Sequence, residues 1–228
     1  MKKIILSFSI LAIVFAGCTD NQVYTPEKTT PMELTKFENI KLLAPNIESG
    51  APLMKCMQER KSYREFAPEN LSLKHLSEIL WVANGINRPE ENRRTVPAAS
   101  AIYPLDTYVF LANGVYLYNP QEHVLETVVE GDHRALAGLK PFVETAPLNI
   151  LLIADFDKFR QSGMPIPAEM YMTLAGADAG HCTQNVYLYC ASEGLKSVVR
   201  GGVKEKELLE LLHLGESHHV ALAQTVGY

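Results

Sequence analysis

The sequence holds four cysteines (Cys18, Cys56, Cys182 and Cys190), one tryptophan and no C-x-x-C pair in 228 residues. Without thiols at ligand spacing there is no basis for a zinc ribbon or a thioredoxin-type redox pair. Cys182 and Cys190 fall on one expected helix, too far apart along its axis to be bridged, and read as small buried apolar residues. No G-x-S-x-G elbow, P-loop or G-x-G-x-x-G turn occurs, so hydrolase, nucleotide-triphosphatase and dinucleotide-fold readings have no residues to support them. Asp178, His181 and Cys182 share a helix, and His213, His218 and His219 crowd the C-terminal region. Neither group is backed by a second ligand pair, and no metal site is expected. Basic residues are in deficit as well: 21 Lys and Arg stand against 26 Asp and Glu, a net charge of −5 that is the wrong sign for a nucleic-acid surface.

Long apolar runs are scarce outside the N-terminus. There Met1-Lys2-Lys3 precedes IILSFSILAIVFAG, a run too short to span a bilayer comfortably and built like an export signal. Its end, Val14-Phe15-Ala16-Gly17-Cys18, resembles the lipobox of bacterial lipoproteins. That resemblance implies cleavage before Cys18, acylation there, and an exported domain anchored by lipid to a bacterial membrane, on the periplasmic or outer-membrane side. Losing Lys2 and Lys3 would move the net charge to −7. The expected organisation is a signal over residues 1–17, a Thr-, Pro- and Glu-rich tether over 18–51, and one folded domain over 52–228.

Within that domain, Leu53, Met54 and Met57 mark a short helix running up to Arg60. Ser72 caps a clearer one, where Leu73, Leu76, Ile79, Leu80 and Ala83 keep helical spacing up to Asn84-Gly85. Trp81 falls inside that pattern and reads as core. Residues 86–105 show no periodicity. Asn113-Gly114, between two alternating apolar runs, is a hairpin signal. A short helix is expected over 132–139, and LNILLIA (148–154) reads as a strand buried on both faces. A long helix is expected over 169–193, stopped by Gly194, with almost no side-chain bulk at Ala175-Gly176-Ala177 and Ala179-Gly180. Such small residues point to close approach of another helix or a ligand. A helix over 204–213 and a last strand, HHVALAQTVG, complete an α+β pattern.

One stretch stands out chemically. ERKSYREF (59–66) sets Arg60, Lys61 and Arg64 around the hydroxyl of Ser62, a donor set suited to phosphate. RKSYREF resembles the start of the nitroreductase family of flavoenzymes, R-[RK]-S-x-R-x-F. Residues 94–105, RTVPAASAIYPL, resemble the R-x-x-P-S-A-G-A-x-Y-P-L segment of its dehydrogenase-like branch, which includes oxidases of peptide azoline rings. QNVYLYCASEGL (184–195) and SVVRGG (197–202) follow in the family's order.

The resemblance implies a mixed sheet flanked by helices and a homodimer with FMN at the subunit interface. It also implies ping-pong hydride transfer through flavin N5 on a small organic substrate. By matching position, Arg60, Lys61 and Ser62 grip the FMN phosphate and ribityl chain. Arg64 faces the N1/O2 edge, where reduction places negative charge. Pro97, Ala98 and Ala99 lie against the ring, Ala98 standing where the family has Ser. Arg200 and Gly201 bring backbone N–H groups towards N5, and Tyr103 falls near the pocket or in the core. The chain ends at Tyr228 without the basic tail by which several relatives close the phosphate site, and Arg93 or Arg94 is expected to substitute. NAD(P)H is a cytoplasmic pool, so an exported domain favours a dehydrogenase or oxidase role or another donor. The alternative is a non-enzymatic lipoprotein that keeps the fold as a binding module.

Overall fold

A computed structural model describes residues 24–228, so the expected export signal and Cys18 lie outside the described residues. The strands are β1 (Ile40–Lys41), β2 (Ile86–Arg88), β3 (Arg93–Arg94), β4 (Leu105–Leu111), β5 (Gly114–Asn119), β6 (Val124–Glu130), β7 (Leu148–Asp155), β8 (Lys196–Arg200) and β9 (His218–Gly227). The helices are α1 (Leu53–Glu59), α2 (Leu73–Asn84), α3 (Phe142–Thr145), α4 (Phe156–Gln161), α5 (Tyr171–Glu193) and α6 (Glu205–Leu211). Seven strands form one sheet in the order β1-β6-β5-β4-β7-β9-β8, while β2 and β3 make a separate small ribbon. The α+β class is the expected one. The sheet, expected to be mixed, is antiparallel at every pairing. Short turns dictate this at β4–β5 and β5–β6, because parallel neighbours need long crossovers, while the other pairings join strands distant in sequence.

The sheet has a core on each face. On one, Leu76, Ile79 and Leu80 of α2 and Ala175, Ala179, Cys182 and Val186 of α5 pack on Leu105, Val109, Ile150 and Leu152. On the other, Val143 of α3 and Leu208 of α6 cover Tyr108, Phe110, Leu151, Ile153 and Ala223. β7 lies between them, which is why its run is apolar without alternation. Ser72 caps α2 as expected, its hydroxyl accepting from His75 N–H at 3.1 Å. Gly194, at φ 69°, ends α5 in the left-handed conformation that favours glycine.

Several details depart from the sequence reading. The expected tether is, from residue 24 onward, a strap on the body. β1 extends the sheet beside β6, Leu42 is buried, and Met32, Leu34 and Phe37 pack on the core. Tyr24 O–H donates to Glu193 Oε1 at 2.6 Å. Anchors scattered singly along irregular chain leave no period to read. The β4–β5 turn is centred on Ala112-Asn113, and Gly114 begins β5, where a Cβ would run into the Phe37 ring. Residues 132–139 hold only a 3-10 turn, Arg134–Leu136. The stretch 86–105 contains the β2–β3 ribbon, too short to register as alternation. Trp81 is half-buried, its indole N–H donating to Ile86 O at 3.1 Å.

Candidate functional site

After α1, residues 60–67 run beside β8, the last strand of the sheet. Tyr63 N–H donates to Ser197 O at 3.0 Å, and Ala67 N–H donates to Tyr228 O at 2.9 Å. The cation cluster is thereby fixed against the C-terminal half of α5, where Tyr187 meets it. The Arg60 guanidinium lies over the Tyr187 ring, 5.1 Å from its centroid. Val199 N–H donates to Tyr187 Oη at 2.9 Å, and Tyr187 Oη lies 2.7 Å from Ser62 Oγ. Val199 N–H takes one acceptor site of the phenol oxygen, and either hydroxyl can donate in the Tyr187–Ser62 pair. When the phenol donates, the Ser62 proton is free for an acceptor outside.

Arg60, Lys61, Tyr63, Tyr187, Gly194 and Ser197 line a cavity of about 460 Å³ here. Arg64 is exposed and does not line it. Glu59 does, and is already bridged to Lys55 at 2.7 Å. The sequence alone does not mark Tyr187 as a site residue. Its separation of 125 positions from Ser62 leaves no local signal, although its place on the matched 184–195 helix was legible.

The second matched segment builds a different cavity. Arg88, Arg93, Arg94, Pro97, Ala98 and Tyr103 line about 680 Å³ between the β2–β3 ribbon and the loop that follows. Thr95 fastens that loop to the end of α2, its hydroxyl 3.1 Å from Trp81 O and its N–H donating to Gly85 O at 2.9 Å. The Arg94 guanidinium lies 5.0 Å from the Tyr103 ring centroid, and Arg94 N–H donates to Tyr103 Oη at 3.3 Å. Burial lowers the Arg94 pKa from its ordinary value. No residue lines both cavities. The expected help of Arg93 or Arg94 at the Arg60 site is therefore not delivered within one chain.

Backbone strain is concentrated in this loop. Ser100, Ala101 and Tyr103 have φ of 51°, 57° and 51°, the left-handed region that disfavours side chains. Ser100 stands where the family pattern carries glycine. Ser100→Gly should raise stability by about 0.5–1 kcal/mol, the relief of strain less the added chain entropy. Denaturant unfolding reads this directly, and a midpoint that stays put or falls would contradict it.

Asp178 lines neither cavity but touches the 99–103 loop through Ala99 N–H. It is 5% exposed, and its Oδ2 has no hydrogen-bond partner. Burial pushes its carboxyl up to about 6 from 3.8, opposed by the His181 charge and by Ala99 N–H, which ties it to the strained loop. Between about pH 4 and 6 the folded chain thus holds more protons than the unfolded one, so stability falls as pH rises through that window. Asp178→Asn should add about 1–2 kcal/mol at pH 7, nothing at pH 3.5, and flatten the slope between them. A variant with the parental pH slope would refute the assignment.

Two matched residues behave differently from the rest. Arg200 points its side chain into the body. Its Nη1 donates to Ala137 O at 2.6 Å, Nη2 to Asn149 Oδ1 at 3.2 Å and to Thr225 Oγ1 at 2.9 Å, with Nε also 3.2 Å from that hydroxyl. Gly201 is exposed with nothing near a built Cβ, so its backbone is open to approach. The three described cysteines are buried, and burial pushes the Cys182 thiol up to about 12 and raises Cys56 and Cys190 too, which excludes a ready thiolate.

Residues 57–228 match the nitroreductase family. The chain belongs to that family. A protein of Methanocaldococcus jannaschii named as a nitroreductase is 31% identical over 189 residues, covering 78% of this chain and 92% of its relative. A crystal structure of a protein of Ralstonia eutropha JMP134, also named as a nitroreductase, superposes with a TM-score of 0.77 at 38% identity. That match covers 90% of this chain and 95% of the other. The NADPH:FMN oxidoreductase of Vibrio harveyi complexed with NAD+ shares the fold at 17% identity and a TM-score of 0.56, over 77% of this nitroreductase-family chain and 68% of that one.

Proposed function

We propose that this nitroreductase-family chain is an FMN-dependent oxidoreductase that works as a homodimer, with a donor and an acceptor using one slot in turn. The cations beside one hydroxyl donor carry the reading. Among the described residues Arg60 and Lys61 line the first cavity and Arg93 and Arg94 the second, and none of the four is bridged to a carboxylate, whereas Arg88 beside the second cavity bridges Glu91. In a net-acidic chain, cations kept free around a hydroxyl donor fit an anionic ligand, and a phosphate matches the donors at Arg60, Lys61 and Ser62.

Two copies are needed because the 60–64 and 94–101 loops face separate cavities within one chain. A partner's loop could bring Pro97, Ala98 and Ala99 to the Arg60 side. On α5, Thr173, Gly176, Ala177 and Gly180 lie outside the buried face, and Cβ atoms built on the two glycines meet nothing within 4 Å. That stripe suits a closely packed second helix. Bound FMN would supply two-electron hydride chemistry at N5. The chain's own part is to clamp the phosphate through Arg60, Lys61 and Ser62, to hold the ring between backbone segments, and to keep water out. Arg64 would set a positive charge beside the ring edge, and Gly201 leaves its backbone N–H accessible.

The lipid anchor at Cys18 and export are part of the same proposal. With Tyr24 held on the body, residues 19–23 would tie the domain within about 20 Å of a membrane at full extension. Outside the cytoplasm NAD(P)H is lacking, so another electron donor is proposed. Rapid reduction of the bound flavin by NADPH would argue against that choice. The central test is the cofactor itself: purified protein should be yellow and release FMN on denaturation. Colourless protein that FMN cannot reconstitute would sink the enzyme reading and leave a binding module.

A further inference from the structure

Away from both cavities, the central strands carry a cluster that the flavin reading does not use. β7 pairs with β9 so that Asp155 stands directly across from His218, and β4 pairs with β7 so that Asp106 stands across from Ile153. Side chains alternate along a strand, so Asp155, two positions beyond Ile153, shares its face. Asp106, Asp155 and His218 therefore project together from three neighbouring strands, on the face that carries Tyr108, Ile153 and Val220. One ligand atom from each lies within 4.8 Å of the other two, and all three residues are half-buried.

Each side chain is also steadied by a contact of its own. Lys158 Nζ donates to Asp106 Oδ1 at 2.6 Å, and Asp157 N–H donates to Asp155 Oδ1 at 2.9 Å. Ser217 Oγ lies 3.3 Å from His218 Nδ1. Such outer contacts orient ligands in protein metal sites generally, and each carboxylate keeps its other oxygen for an ion.

We propose that Asp106, Asp155 and His218 bind a divalent first-row transition metal, with Zn²⁺ the ion of choice. An imidazole nitrogen beside two carboxylate oxygens departs from the all-oxygen shells of Ca²⁺ and Mg²⁺, and the absence of thiolate disfavours Cu(I). Three protein ligands leave a further position for water. Lys158 offsets one of the two carboxylate charges, so the cluster keeps a net negative charge when His218 is neutral. The ion would tie β4, β7 and β9 together at the end of the sheet. This site is independent of the flavin reading and would survive its failure.

The test uses the tag-free full chain after chelator treatment, with Zn²⁺ titrated by calorimetry and Co²⁺ by visible absorption as a probe of nitrogen ligation. One Zn²⁺ per chain is expected, with affinity reduced at least about tenfold in His218→Gln and in Asp106→Asn. Asp155→Asn keeps the cap on α4 and should show the same loss. Lys158→Met removes the competing cation and should bind at least as tightly. His213→Gln and His219→Gln should bind like the parent. Absence of binding, or binding unchanged in His218→Gln, would overturn the site, as would loss of binding in His213→Gln alone. Circular dichroism separates a lost ligand from a lost fold, and the half-buried His218→Gln keeps the test decisive if an aspartate variant fails to fold.

Discussion

Arg60→Ala should weaken FMN binding by about 10–100-fold, the loss of a charge-assisted contact of about 1.5–3 kcal/mol. Arg60 lines the cavity, rests on the Tyr187 ring and has no carboxylate partner among the described residues. Arg64 differs: it is exposed, lies outside the cavity lining, and matches a position at the flavin edge that becomes negative on reduction. Arg64→Ala should leave affinity for oxidised FMN within a few-fold and lower the midpoint potential by roughly 20–60 mV, equivalent to about 1–3 kcal/mol over two electrons. Fluorescence titration and spectroelectrochemistry separate the two. Equal losses of affinity with no change of potential would make the whole cluster a phosphate clamp.

Arg200→Ala should act on the fold, destabilising the protein by about 3–5 kcal/mol whether or not flavin is bound. The guanidinium is held by Ala137 O, Asn149 Oδ1 and Thr225 Oγ1, and among the described residues no carboxylate is bridged to it. Burial alone lowers its pKa to about 10. Removing it leaves several buried acceptors short of a donor, while Thr225 O–H still donates to Asn149 Oδ1 at 2.6 Å. Gly138 is shaped for this arrangement, since a Cβ there would meet the guanidinium. For a domain of this size the expected fall in Tm is about 10 °C. A fall below about 2 °C, with FMN binding lost, would return Arg200 to a direct cofactor role.

The contrast between Arg60 and Arg200 shows how far the sequence reaches. Both are arginines in motif positions, and both were expected at the flavin. The motif implies a turn at Arg200, which is the last residue of β8. It could not indicate that the side chain turns towards Asn149, 51 positions away. Ser62 was singled out for its hydroxyl, yet what aims that hydroxyl is Tyr187, supported by Val199 on β8. In the sequence Asp178 belongs only to a weak metal pattern. Its burial with an unpartnered Oδ2 depends on packing between segments distant in sequence.

What local period and local chemistry encode is legible in the sequence. That includes the capped helix α2, the long α5 with its glycine stop, the buried strand β7, the final strand β9, and a cation cluster around one hydroxyl. These follow from interactions between residues a few positions apart, which repeat or punctuate the chain. Tertiary structure alone decided the antiparallel pairing of the whole sheet, the docking of residues 24–51, and the division of the matched residues between two cavities. It also decided the meeting of Asp106, Asp155 and His218 across three strands. Each depends on strand register and on packing between distant segments, and a one-residue slip in register would send every side chain to the opposite face.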